Sequence, residues 1–263
     1  ANFHASSSRH FVVEVEESEG ALRKRKFRSR AHANPLADPQ FEYPISPDCV
    51  DWSVVFPKHC NEEGKLSRNI DFADVGCGFG GLLVKLGDAF PDKLSIGLEI
   101  REKVTSYVDQ RLKALRNENA GKYDNAAVVR TNAMKCIANY LPKASLEKIF
   151  FCFPDPHFKA KNHRRRIIST HSLTEFAFVL KPGEGKLYTI TDVRELYEWH
   201  LKHLEAHPLF EPVPEEELKE DRCYQLIFES SEEASKVSRN QGSKWALVYR
   251  RVSLEDALAR RAT

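Results

Sequence analysis

From residue 70 onward, short apolar runs alternate with longer amphipathic stretches. The runs Ile70–Val75, Lys93–Leu98, Ala126–Arg130, Lys148–Phe153 and Lys186–Thr191 predict strands. The stretches between and after them, Gly81–Ala89, Arg101–Arg116, Met134–Tyr140, Ser172–Leu180 and Val193–His207, predict helices. In the last of these, Leu196, Trp199, Leu201 and Leu204 recur at helical spacing and mark a core face. Strands and helices alternating at these lengths predict an α/β fold with a mostly parallel sheet covered on both faces. Pro214 to Asp221 reads as an acidic loop. Beyond it, Tyr224–Glu229 and Lys244–Arg251 are close enough to pair as an antiparallel C-terminal hairpin, bringing the sheet to seven strands. Residues 1–38 hold one apolar patch, Phe11 to Val15, amid serine and charge. They read as a basic, partly disordered arm, 39–252 as the α/β domain and 253–263 as a tail.

At 41% hydrophobic residues the chain can build a core, and no run approaches the roughly 18 apolar residues of a membrane span, so no membrane role is expected. The six cysteines are scattered without a Cys-x-x-Cys pair, which argues against a zinc ribbon or disulfide scaffold. The net charge of +2 hides an asymmetry. Residues 23–30 carry six Lys/Arg and residues 159–166 carry five, with no acid in either; 40 less these 11 leaves 29 basic against 38 acidic residues. Cationic charge concentrated on an acidic body points to a polyanionic partner.

The first strand ends in Asp74-Val75-Gly76-Cys77-Gly78-Phe79-Gly80-Gly81, where a helix begins. Glycines here allow a tight turn and let backbone N–H groups approach a ligand. Glu99, 23 residues after Gly76, ends the second strand, placed to accept hydrogen bonds from a ribose diol. A dinucleotide would bring a pyrophosphate that the Asp74 charge repels. S-adenosylmethionine brings an ammonium and a sulfonium instead, and charge logic favours it. On the third strand, Asn132-Ala133 serves either as a helix cap or as a contact to adenine.

Phe153-Pro154-Asp155-Pro156-His157-Phe158-Lys159 closes the fourth strand, at the edge where doubly wound sheets bind ligands. Two prolines fix the backbone around Asp155. Lys159, Lys161, Arg164, Arg165 and Arg166 follow, interleaved with His157, Phe158 and His163. The run suits a nucleobase whose phosphates are gripped nearby, or it is a solvated face. Cys152, His157 and His163 match no zinc spacing, so no metal is expected. Gly-x-Ser-x-Gly and a P-loop are both missing, which sets hydrolase and kinase readings aside.

With these motifs the chain resembles the tRNA (guanine-N7)-methyltransferase family in its eukaryotic catalytic-subunit form. The likeness also rests on Arg30-Ala31-His32-Ala33-Asn34-Pro35, Gly97-Leu98-Glu99-Ile100-Arg101, Asn132-Ala133-Met134-Lys135 and Tyr188-Thr189-Ile190-Thr191-Asp192, and runs from about Lys24 to Arg251. It implies a class I, Rossmann-like S-adenosylmethionine-dependent methyltransferase domain. The implied reaction is methyl transfer to N7 of guanosine 46 in the variable loop of tRNA. It implies Asp155 as the active-site acid and cofactor contacts at Gly76, Glu99, Asn132, Ala133 and Cys152, with Asp74, Gly78, Ile100 and Arg101 in the same motifs. Ser231 and Glu233, further expected cofactor contacts, stand where the family has a hydroxyl, usually Thr, and an acid around its pocket. Lys24, Arg25, Lys26, Arg28 and Arg30, together with His157, Lys159, Lys161, His163, Arg164, Arg165 and Arg166, are the expected tRNA contacts. Ala33 stands where relatives often have Ser, which removes a phosphorylation site. The resemblance further implies a heterodimer with a non-catalytic WD-repeat β-propeller subunit. The basic arm suits nuclear import, with the cytoplasm as a second compartment.

Overall fold

The structure is a computed structural model, and it describes residues 24–27, 33–37, 42–229 and 243–262. Its strands are β1 (Phe72–Val75), β2 (Ser95–Glu99), β3 (Ala126–Arg130), β4 (Lys148–Cys152), β5 (Lys186–Thr191), β6 (Phe210–Pro212) and β7 (Trp245–Arg251). They form one sheet in the order 3-2-1-4-5-7-6, in which only β7 runs against its neighbours. The order reverses between β1 and β4, so the carboxyl ends of these two strands flank the crevice where such sheets hold ligands.

Helices α1 (Gly81–Ala89), α2 (Glu102–Glu118), α3 (Ala133–Tyr140), α4 (Thr170–Val179), α5 (Arg194–Glu205), α6 (Glu215–Glu220), α7 (Arg222–Glu229) and α8 (Leu254–Ala262) complete the order. Strand side chains alternate between two cores, as a period of two requires. Phe72, Phe150, Tyr188 and Val248 pack with Leu82 and Leu86 of α1 and Leu226 and Ile227 of α7. Ala73, Ile149, Leu187 and Tyr249 face Ile137 of α3, Phe176 of α4 and Leu204 of α5. Side-chain caps fix several of the helix starts. The Asn132 side chain accepts from the Met134 N–H at α3, and Ser169 and Ser172 form a reciprocal capping box at α4.

The expected α/β architecture and seven strands are present, but the C-terminal hairpin is composed differently. Tyr224–Glu229 lies in helix α7, and the partner of β7 is Phe210–Pro212. Asp221 decides the matter, because its side chain accepts from the N–H groups of Cys223 and Tyr224 and starts a helix that buries Cys223, Leu226 and Ile227. The acidic stretch before it also folds, as α6, and residues 254–262 are helical where the pattern shows only a tail.

Candidate active site

The glycine turn leaves β1 at Val75 and enters α1 at Gly81. Gly76 and Gly78 have φ of 70° and 54°, which L side chains rarely adopt. A Cβ on Gly76 would meet nothing within 4 Å, so backbone conformation and not crowding requires glycine there. The Gly78 N–H donates to Glu99 Oε2 at 3.1 Å. Glu99 Oε1 accepts from the Arg101 backbone N–H (2.9 Å) and Nε (3.1 Å), while Oε2 also takes an Arg101 Nη at 2.9 Å. This buried carboxylate therefore ties the turn to the end of β2.

Asp74 lies beneath the turn, only 2% exposed, and none of the described residues gives its carboxyl a hydrogen bond. Burial, and secondarily the charge of Glu99, raises its pKa to about 7. Such a group awaits a cation, since a positive partner would restore the ionised form that burial disfavours. Cys152, at the end of β4, has its thiol pushed well up by burial and then by Asp74, so it lines the site as a neutral group.

These residues border one cavity of about 460 Å³, a size suited to a nucleoside-like ligand. Ile100, Arg101, Asn132 and Ala133 line it as well. Asn132 is both cap and wall: its Oδ1 caps α3, while Nδ2 donates to the Pro35 carbonyl at 2.6 Å. Lys135 Nζ donates to the carbonyls of Leu36 and Ala37. Ala33 and Pro35 thus close one side of the cavity from almost a hundred residues away in sequence, a role that residue patterns did not reveal.

The Asp155 loop forms the opposite lip. Phe153 and His157 take left-handed φ of 51° and 44°, strained conformations for non-glycine residues. Asp155 Oδ1 accepts from the His157 N–H at 3.3 Å, and Oδ2 is 3.6 Å from His157 Nδ1. His157 accordingly faces the acid. Lys159, Lys161 and Arg164 are exposed, and among the described residues they make no ion pair. Phe158 is 67% exposed beside them. Arg165 turns inward and lines the cavity, with Nε buried and lacking an acceptor among the described residues. His163 packs edge-on to Trp199.

Arg166 departs from the expected tRNA contact. It is 1% exposed, its guanidinium bound to Glu195 and to the Pro156 carbonyl, so it offers nothing to a phosphate. In the arm, Lys24 stands over the Phe79 ring at 5.5 Å, and Phe27 meets Tyr107 at 5.4 Å. Arg28, Arg30, Ser231 and Glu233 lie outside the described residues, as do the side chains of Arg25 and Lys26. Asp192, at the end of β5, also lines the cavity; its place at a strand terminus was the signal that could have marked it. Among the described residues, no group of three His, Cys, Asp or Glu is placed to hold a metal, and no helix is long and apolar enough to cross a membrane.

A glycine turn after the first strand, an acid buried under it, a carboxylate closing the second strand and a sheet with one reversed strand define an α/β methyltransferase. A family model described as "Putative methyltransferase" matches residues 68–247. The tRNA (guanine-N(7)-)-methyltransferase of Zea mays is 55% identical over 241 residues, covering 89% of this chain and 94% of its own length. That of Arabidopsis thaliana is 53% identical, covering 90% and 94%, and that of Anopheles gambiae 51%, covering 87% and 94%. The chain belongs to the tRNA (guanine-N7)-methyltransferase family.

Proposed function

We propose that this enzyme transfers the methyl group of S-adenosylmethionine to N7 of guanosine 46 in the variable loop of tRNA. The observation that carries the reading is the charge layout of a single cavity. Asp74 stands under the glycine turn with no hydrogen bond from the described residues, Asp155 stands at the lip, and a cationic run leads away from it. When bound there, S-adenosylmethionine supplies a methyl group on a positively charged sulfur. Asp74 would attract the cationic end of the donor, the Gly76–Gly78 turn would leave room for it, and Glu99 would accept from the ribose by giving up part of its bonding to Arg101.

Guanine N7 carries an in-plane lone pair, so no proton has to leave it and no side chain need act as a base. The ring becomes cationic as the N7–methyl bond forms and the methyl–sulfur bond breaks, the sulfur leaving as the neutral thioether of S-adenosylhomocysteine. Asp155 accepts hydrogen bonds from the base and stabilises that growing charge, while holding the two reactants in line supplies the remainder. Lys159, Lys161 and Arg164 grip phosphates by charge alone. The family resemblance supports a WD-repeat propeller subunit as partner, and the basic arm supports a nuclear location.

The test uses bulk tRNA and labelled S-adenosylmethionine, with and without a propeller subunit, and maps product by borohydride/aniline cleavage at N7-methylguanosine. One cut in the variable loop is expected, and Asp155→Ala should abolish most turnover while S-adenosylhomocysteine affinity is retained. Label incorporated without that cut would refute the N7 assignment, and lost donor affinity in Asp155→Ala would move this acid to the cofactor side.

A further inference from the structure

Three neighbouring arginines, 164 to 166, have three different environments. Arg164 is in solvent, Arg165 lines the cavity, and Arg166 is buried behind the Asp155 loop. Arg166 Nε donates to the Pro156 carbonyl at 2.9 Å. Pro156 has no N–H, so this carbonyl is its sole backbone hydrogen-bonding handle. One Nη of Arg166 donates to Glu195 Oε1 at 2.5 Å and lies 3.0 Å from His163 Nε2. A guanidinium only donates, so His163 accepts there through Nε2. The other Nη has no acceptor among the described residues. Beneath the guanidinium lies Trp199, its ring 4.7 Å from Cζ and itself fixed by a 2.7 Å hydrogen bond from Nε1 to the Ile168 carbonyl.

Glu195 and Trp199 are four residues apart on α5 and so share one face. The cluster therefore ties the loop after β4 to the helix after β5. That loop has something to be held against. Phe153 and His157 bracket Asp155 in left-handed conformations that the backbone would leave if free.

We propose that Arg166 is a positioning residue, which with Glu195 and Trp199 holds the Pro156 carbonyl and thereby keeps the Asp155 carboxylate at the lip of the cavity. The inference rests on the reading of Asp155 as the site acid. Lysine cannot replace this arginine, because a point charge can neither stack on the indole nor donate to Pro156 and Glu195 in one plane.

The test has two readouts on the full chain, with its partner subunit if activity requires one. The first is amide hydrogen exchange of the peptide covering residues 150–158 in Arg166→Lys and, should that variant not fold, in Glu195→Gln. Faster exchange confined to this loop is expected. Unchanged exchange would overturn the proposal, and faster exchange throughout the domain would reduce Arg166 to a structural role. This readout needs no substrate, so it stands even if the N7 assignment fails. The second is a double-mutant cycle on methyl transfer. Arg166→Lys should lower kcat by about 10- to 100-fold, the scale of a misplacement near 1 Å, with little change in KM for tRNA. In an Asp155→Ala background the same substitution should cost almost nothing further, because its effect passes through Asp155. Additive losses would overturn the proposal, while an inactive wild type would refute the function and leave the exchange result to decide this inference.

Discussion

Asp74 shows how one side chain can make cofactor affinity depend on pH. Its pKa, about 7 in place of 3.8, is raised by burial and by Glu99. A carboxyl raised on folding contributes stability that is present below its unfolded value and lost as pH rises through the folded one. The ligand-free protein therefore carries an unfavourable charge at high pH, and a cationic ligand removes the penalty. Affinity for S-adenosylmethionine should rise from about pH 6 to about pH 8 and then level off. Asp74→Asn should flatten that rise, weaken binding, and raise the melting temperature of the free protein at the upper pH. Calorimetric titration across the range checks this, and a slope retained in Asp74→Asn would assign the dependence to another group. Asp74 was legible in sequence because an acid within a glycine turn has one electrostatic consequence whatever surrounds it. Arg166 was not, because Arg164, Arg165 and Arg166 are chemically identical and burial alone separates them.

The same limit operates on elements. Strands β1 to β5 and the helices following them were legible because each repeats its pattern long enough to fix a period. Tyr224 to Glu229 is six residues of mixed aromatic and branched character, and such a run fits a strand as well as a helix. The deciding contacts come from outside it. Asp221 caps α7, accepts from Lys148 Nζ at 3.0 Å and takes the Tyr188 hydroxyl at 2.5 Å. Burial alone would raise its pKa, but Tyr188 and Lys148 outweigh that and the pKa falls below the ordinary value of 3.8. Its contribution is thus present above that ordinary value and is lost as pH falls through the depressed one. Asp221→Ala removes the cap and takes this buried partner from the half-buried Lys148, and should destabilise the protein by about 3 kcal/mol, the lower end of the scale for a broken buried pair. Denaturant unfolding at neutral pH checks it. A loss under about 1 kcal/mol, the scale of an exposed pair, would show that solvent compensates the network.

At the scale of the whole molecule, the strand alternation yielded the layered sheet and the crevice, and the charge runs yielded the expectation of a polyanionic partner. What no local pattern carries is the path of residues 33–37, which cross the chain to become a wall of the cavity. Their hold is the Asn132 bond to Pro35 and the Lys135 bonds to Leu36 and Ala37, contacts spanning 97 to 99 residues. Just upstream, Lys24 and Phe27 pack on Phe79 and Tyr107, beside the glycine turn and α2. The segment whose charge suits tRNA is thus continuous with the segment that closes the donor cavity. Deleting residues 1–37 should therefore weaken S-adenosylhomocysteine binding as well as tRNA binding, by roughly tenfold for the loss of about 1.4 kcal/mol of contacts. Deleting residues 1–22 keeps Lys24, Phe27, Ala33 and Pro35 and should leave cofactor affinity where it was. Isothermal titration of the two truncated proteins separates the cases. Equal affinities would make the 33–37 segment a passive cover, whereas a loss in the longer deletion alone would mean that this stretch helps to build the donor site.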